Sequence, residues 1–143
     1  MKSIETLSAI LATNFVLYVK TQNFHWNVQG PTFMMIHKML EEQYENLAEA
    51  NDEIAERIRS LGFLAPGSMK EFLAASLIDE SPNDLPAEKM IQILADDHQA
   101  MVDKLKELIP VFAESGDDGT ADMLTARIQF HQEKVWMLKS HLV

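Results

Sequence analysis

Glycine and proline cut this chain into four long stretches, and in each of them apolar residues recur at helical spacing. In the first, Ser3 is placed as an N-cap, and Ile4, Leu7, Leu11, Phe15 and Tyr18 share one face of a helix over about 4–28. Gly30 and Pro31 break the chain, with Pro31 suited to the first turn of a second helix that runs to about Ser60 and stops at Gly62. Residues 62–86 are punctuated by Pro66, Gly67, Pro82 and Pro86, with a short helix readable in SMKEFLAAS. A third long helix starts near Pro86 and carries Met90, Ile93, Leu94, Met101, Leu105 and Leu108, and Pro110 is expected to kink it or end it early. After the turn AESGDDGTADM, a fourth spans about Thr120 to His141, with Met123, Leu124, Ile128, Val135, Met137 and Leu138 as its apolar positions. Four long helices with one long middle connection predict an all-α, ferritin-like four-helix bundle with a short extra helix in the crossover, as a single domain over 1–143.

Composition narrows the chemistry. The chain is 47% apolar and 24% charged, ordinary for a soluble globular protein. It has no cysteine, which excludes disulfides and thiolate metal ligands. Its formal charge of −10 repels a phosphate backbone and attracts cations. The opening MKSIETLSAILATNFVLYVK has an early lysine and an apolar run. Glu5, Thr6, Thr13 and Asn14 interrupt that run and no small-residue cleavage site follows, so a cytoplasmic protein is expected. No run reaches the roughly 20 apolar residues of a membrane span.

The second helix holds two polar pairs at i, i+4: His37 with Glu41, and Asp52 with Glu56. Four residues turn about 400°, so each pair projects from one face and can chelate a divalent ion. Taken singly, such pairs are ordinary solvated surface. Their separation is more informative, because at ~1.5 Å per residue they lie roughly 22 Å apart and cannot share an ion within one helix. Two copies of the helix crossing antiparallel about a two-fold axis near residues 46 and 47 would set position 37 against 56 and 41 against 52. His25, just before the Gly30-Pro31 turn, can join the same ion. The predicted site is therefore His25, His37 and Glu41 of one chain with Asp52 and Glu56 of its mate, twice per dimer. Imidazole and carboxylate ligands with open positions suit Fe(II) oxidation, with Mn or Zn as possible competitors. No histidine has a glutamate three residues before it, which argues against the E-x-x-H type of centre inside one bundle.

The segment HWNVQGPTFMMIHKMLEEQYENLAEANDEIAERIRSLG resembles the core signature of the Dps proteins, small ferritin-like cages of bacteria, and the resemblance extends over essentially the whole chain. It implies a homo-oligomer of twelve subunits built from two-fold dimers. It also implies inter-subunit ferroxidase centres that oxidise Fe(II), preferentially with hydrogen peroxide, and a ferric mineral in a hollow cage. By position, His25, His37, Asp52 and Glu56 resemble the family's ligands. Glu41 stands where aspartate is usual, one methylene longer. Trp26 resembles the tryptophan beside the centre, able to stack there or intercept oxidising equivalents, and it reads equally as an interface aromatic.

Glu114, Asp117, Asp118 and Asp122 crowd the start of the last helix. Acids there cap the helix and complement its dipole. In the family, acids in this region line three-fold pores that admit iron, and Asp122 is the best match. His98, His131 and His141 read as surface or interface residues, the nine methionines as core, Trp136 as packing, and Glu42, Glu45 and Glu49 as a solvent- or cavity-facing acidic face.

The alternative reading is a DNA-compacting starvation protein with iron oxidation secondary. Direct DNA binding in the family often uses a mobile basic terminal tail, and here only Lys2 precedes the first helix. A chain of charge −10 should give no gel shift with duplex DNA at physiological salt, and a tight, salt-sensitive shift would refute that.

Overall fold

The computed structural model describes residues 2–143. Five helices follow one another: α1 (Lys2–Asn27), α2 (Phe33–Ser60), α3 (Met69–Ala75), α4 (Ala87–Glu114) and α5 (Asp118–Ser140). There is no strand among the described residues. α1 pairs with α2 and α4 with α5, and α1 also packs on α3 and α4. The crossover between the two hairpins carries α3, a single short helix fixed by a capping box. The Ser68 hydroxyl accepts from the Glu71 amide at 3.3 Å, and the Glu71 carboxylate accepts from the Ser68 amide at 3.2 Å. Phe72 then buries against α1, its ring stacked 4.3 Å from Phe15. No helix among the described residues is long and apolar enough to cross a membrane.

Helix ends mostly follow the local chemistry, with three differences from the sequence expectation. α1 already includes Ser3, so that residue is not its cap. α2 begins at Phe33, and Pro31 lies in the turn before it. Pro110 does not end α4, which continues to Glu114. Pro110 sits on the exposed face, where water can satisfy the Lys106 carbonyl that lost its donor, while Leu108 and Phe112 stay buried on the other face. At the end of α2, Gly62 (φ 97°) takes the left-handed conformation, and the Phe63 amide donates back to the Ile58 carbonyl at 3.2 Å.

The core is in two parts. One gathers Leu7, Ile10, Ile54, Ile58, Leu105 and Leu124 at one end of the bundle. The other gathers Leu17, Phe24, Leu40, Leu47, Leu94 and Leu138 at the opposite end. Between them each helix turns polar: Thr13 and Asn14 on α1, Asn46 and Asn51 on α2, Asp97 and His98 on α4, Arg127 and His131 on α5. The Asn14 amide donates to Asn51 at 2.7 Å and to the Leu47 carbonyl at 3.0 Å, and Arg127 donates to Asn46 at 2.7 Å. Lys20 and Asp97 pair at 2.7 Å, both largely buried, tying α1 to α4.

This layer overturns one expectation. His98 and His131 are not surface residues; both are fully buried and hydrogen-bonded to each other. Each falls on the inward face of its helix, which a search for ligand spacing passes over. Trp136 is exposed rather than packed, and of the methionines Met34, Met35 and Met69 are exposed while Met90, Met101 and Met123 are buried. Met1 lies outside the described residues. His141 and the acidic row Glu42, Glu45 and Glu49 are exposed.

Candidate metal centre

The turn between α1 and α2 is short because Gly30, at φ 124°, reverses the chain in a conformation L side chains rarely adopt. It brings the last turn of α1 beside the first turns of α2. There His25 and His37 stack face to face, ring centroids 3.8 Å apart and planes 10° from parallel. Each ring is anchored on the other's backbone. His25 Nδ1–H donates to the His37 carbonyl at 2.6 Å, and His37 Nδ1–H donates to the His25 carbonyl at 2.7 Å. A carbonyl oxygen can only accept, so both Nδ1 atoms carry the proton. Both Nε2 atoms of the neutral rings then keep a lone pair, the form a metal ion requires.

Two further aromatic rings brace the pair. Phe33, one turn before His37, stacks on it at 4.9 Å. Tyr44, two turns after His37, presents its ring to His25 at 5.1 Å and 63°. Sequence reasoning did not single out Tyr44, although its spacing from His37 placed it on the same face of α2. Burial first, then the carboxylates of Glu41 and Glu45, push the Tyr44 phenol above its ordinary value and keep it neutral.

The remaining predicted ligands do not join the imidazoles within one subunit. Glu41 is half-buried one turn beyond His37, with Lys38 at 3.6 Å. Asp52 and Glu56 are exposed on the same helix, roughly 22 Å along its axis from the histidines. Among the described residues, no three His, Asp or Glu side chains within the subunit gather into a group able to hold a metal ion. The two imidazoles are thus paired within the subunit, while Asp52 and Glu56 are exposed elsewhere on α2. Trp26 is 64% exposed. It lines a shallow hollow with Asn23, Ser81 and Pro82, on a different side of α1 from His25.

At the start of α5 the acids separate into two kinds. Asp117 is the N-cap: its carboxylate accepts from the Thr120 amide at 3.0 Å, the Thr120 hydroxyl at 2.6 Å and Arg57 at 2.8 Å. Burial would raise its pKa, but the bonds from Thr120 and then Arg57 prevail and hold it below the usual carboxylate range. Asp118 and Asp122 are exposed, and Asp122 borders a surface hollow with Glu53 and Glu56.

Two helical hairpins joined by a crossover that bears a short helix define a ferritin-like protein. The ferritin-like domain model matches residues 4–143. A protein from Brevibacillus brevis called DNA protection during starvation protein is 40% identical over 98% of this chain and 97% of its own length. The crystal structure of Dps from Staphylococcus aureus superposes with a TM-score of 0.95 at 33% identity, over 99% of this chain and 95% of that one. A Vibrio cholerae Dps superposes with a TM-score of 0.95 at 31% identity, over 99% of this chain and 89% of that one. That protein is described as a member of a broad superfamily of ferritin-like diiron-carboxylate proteins. The chain belongs to the Dps family.

The tautomer assignment has a direct check. Imidazole nitrogen spectra of the metal-free protein at pH 8 should show both His25 and His37 protonated at Nδ1 and bare at Nε2. A signal from the Nε2–H form of either ring would contradict it.

Proposed function

We propose that this chain is a ferroxidase and iron store. It oxidises Fe(II), preferentially with hydrogen peroxide, at centres shared between two subunits, and it deposits the ferric product inside a closed homo-oligomer. The observation that carries this reading is the preset His25–His37 pair, which belongs to no group of three or more metal-binding side chains in its own subunit among the described residues. A two-fold crossing of α2 brings Asp52 and Glu56 of a second chain to His37 and Glu41 of the first, and repeats the arrangement at the other end. Both nitrogen and oxygen donors are then supplied, and neither subunit alone can surround the ion. The exposed apolar residues Met34 and Met35 on α2 and Met69 and Leu73 on α3 support burial against further copies of the chain. The dodecameric cage follows the family resemblance.

The chemistry then has a simple division of labour. The substrate is ferrous ion: two of them and one peroxide, with two protons, give two ferric ions and two waters. The fixed Nε2 lone pairs bind without reorganisation, since the two carbonyls already hold the rings in place. Carboxylates from the second chain balance the extra positive charge of the ferric product, and Glu41 has one methylene more of reach than the aspartate usual there. Mn and Zn compete for the same nitrogen and oxygen donors. Tyr44 presents its ring to His25 at 5.1 Å, and Trp26, the next residue after His25, serves a centre from the side that another subunit covers. Asp122, with Asp118 beside it, lines the iron entry at the junction of three subunits, while Asp117 holds the start of α5. The protein works in the cytoplasm, and protection comes from removing Fe(II) and peroxide together. DNA compaction is the lesser reading, since the charge of −10 opposes contact with phosphates.

Complementation tests the shared centre. One chain carries Asp52→Ala and Glu56→Ala; the other carries His25→Asn and His37→Asn, whose amides can still donate to the facing carbonyls. Each homo-oligomer should lose fast oxidation of Fe(II) by peroxide. When the two chains are unfolded together and refolded, half the dimers are mixed and each has one intact centre, so about a quarter of the wild-type rate should return. No recovery, with mixed dimers verified by mass, would place the centre within one subunit. For iron entry, Asp122→Asn should slow uptake several-fold at low ferrous concentration while leaving assembly intact. Uptake at the wild-type rate would remove Asp122 from the path.

A further inference from the structure

The centre uses neither buried histidine of the second hairpin. His98 on α4 and His131 on α5 are 0% and 1% exposed, with Nδ1 of one 2.8 Å from Nδ1 of the other. Two ring nitrogens at that distance are held by one proton: one Nδ1 donates and the other accepts with its lone pair. The bond links the two helices at the polar layer, where neither apolar cluster continues across. His98 Nε2 is also buried, with no protein partner.

The surroundings make a second proton costly. On α5, the Arg127 guanidinium lies 4.4 Å over the Phe130 ring and the Lys134 ammonium 5.2 Å from it, and Phe130 packs against both imidazoles. On α2 the layer offers neutral Gln43 and Asn46, with Glu53 acting on Arg127. On α4, Asp97 is engaged by Lys20 of α1. No ion pair among the described residues includes either histidine. A positive charge on this neutral pair would be buried under the influence of Arg127 and Lys134, with no carboxylate paired to either ring among the described residues.

We propose that the His98–His131 pair is an acid-operated latch on the α4–α5 hairpin: with one shared proton it holds the helices together, and uptake of another opens them. On the accepting ring that proton takes the lone pair that makes the bond, so two N–H groups face each other; on the Nε2 of a donating His98 it makes a buried N–H with no protein partner. The rings can carry their charge only by separating and reaching water, and α4 and α5 part at the layer between the two cores. The latch involves no metal, and it stands or falls apart from the iron chemistry.

The direction of the pH dependence follows. In the opened chain each imidazole has its ordinary value of 6.5. In the closed hairpin His98 is held down to about 3, by burial first and then by Arg127 and Lys134. His131 is held well below its ordinary value by burial, then by His98 and Arg127. Between pH 6.5 and about 3 the open form therefore binds more protons. Closure is complete above 6.5 and weakens as pH falls, about tenfold per pH unit for each histidine involved.

Hydrogen exchange on the assembled full-length protein tests this. After correction for intrinsic exchange rates, lowering pH from 7 to 4.5 should raise opening of α4 and α5 amides around His98 and His131 by about a hundredfold or more, with little change in α1 and α2. In His98→Leu/His131→Leu the acid-induced opening should vanish. Equal opening in all four long helices, or the same opening in the double variant, would overturn the latch. Should the double variant not fold, imidazole titration of the wild-type protein by NMR decides: neither ring should titrate above pH 5. A ring titrating near 6.5 in the closed protein would rule the latch out.

Discussion

The reciprocal anchoring of His25 and His37 on each other's carbonyl oxygens is the constraint on which the rest of the site depends. It couples the end of α1 to the start of α2, so the turn at Gly30 is closed by the same side chains that present the lone pairs. It also settles each tautomer through backbone carbonyls alone, without a carboxylate partner. Stacking at 3.8 Å then fixes where the two Nε2 atoms can point. A preorganised donor pair of this kind needs little rearrangement when an ion arrives, and the cost of ordering it is met during folding.

The proposed shared centre makes function and assembly inseparable. α2 is 28 residues long, and its polar pairs lie near opposite ends. A single helix cannot fold its own carboxylates back on its histidines. In the proposed centre, self-complementary pairing about a two-fold axis meets that need twice in one contact. Ferritin-like bundles with ligands inside their core face the opposite problem, because they must bury carboxylates among their own helices. Here the bundle interior is free of that requirement.

What the interior holds instead is a polar layer of amides, an ion pair, an arginine and two imidazoles between two apolar ends. Such groups contribute less to stability than leucine of similar volume, and each needs its partner in place. Asn14 on Asn51, Arg127 on Asn46 and His98 on His131 each join two different helices. The layer fixes the axial register of the helices, which the apolar clusters alone would leave free to slide. It is also where protonation can act on the hairpin.

Much of this was legible in the residues. Apolar spacing and the Gly–Pro breaks located the four long helices and the short one, because periodicity and turn chemistry are local properties. The i, i+4 pairs of α2 and the placement of His25 marked the candidate donors, and the absence of E-x-x-H argued against an intra-bundle centre for the same local reason. Pro110 does not end α4, because whether a proline ends a helix depends on which face it occupies, and that is set by packing. His98 and His131 looked like surface residues because nothing near them in sequence marks a partner 33 positions away. Tyr44 was passed over because an edge contact with a ring on another helix has no sequence signature. The sequence by itself determined which segments are helical and which side chains can bind or carry charge, since those follow from covalent chemistry and short-range periodicity. Only the tertiary structure decided which nitrogens keep their lone pairs, which histidines leave water and which helices a single proton joins, because these depend on contacts between residues far apart along the chain.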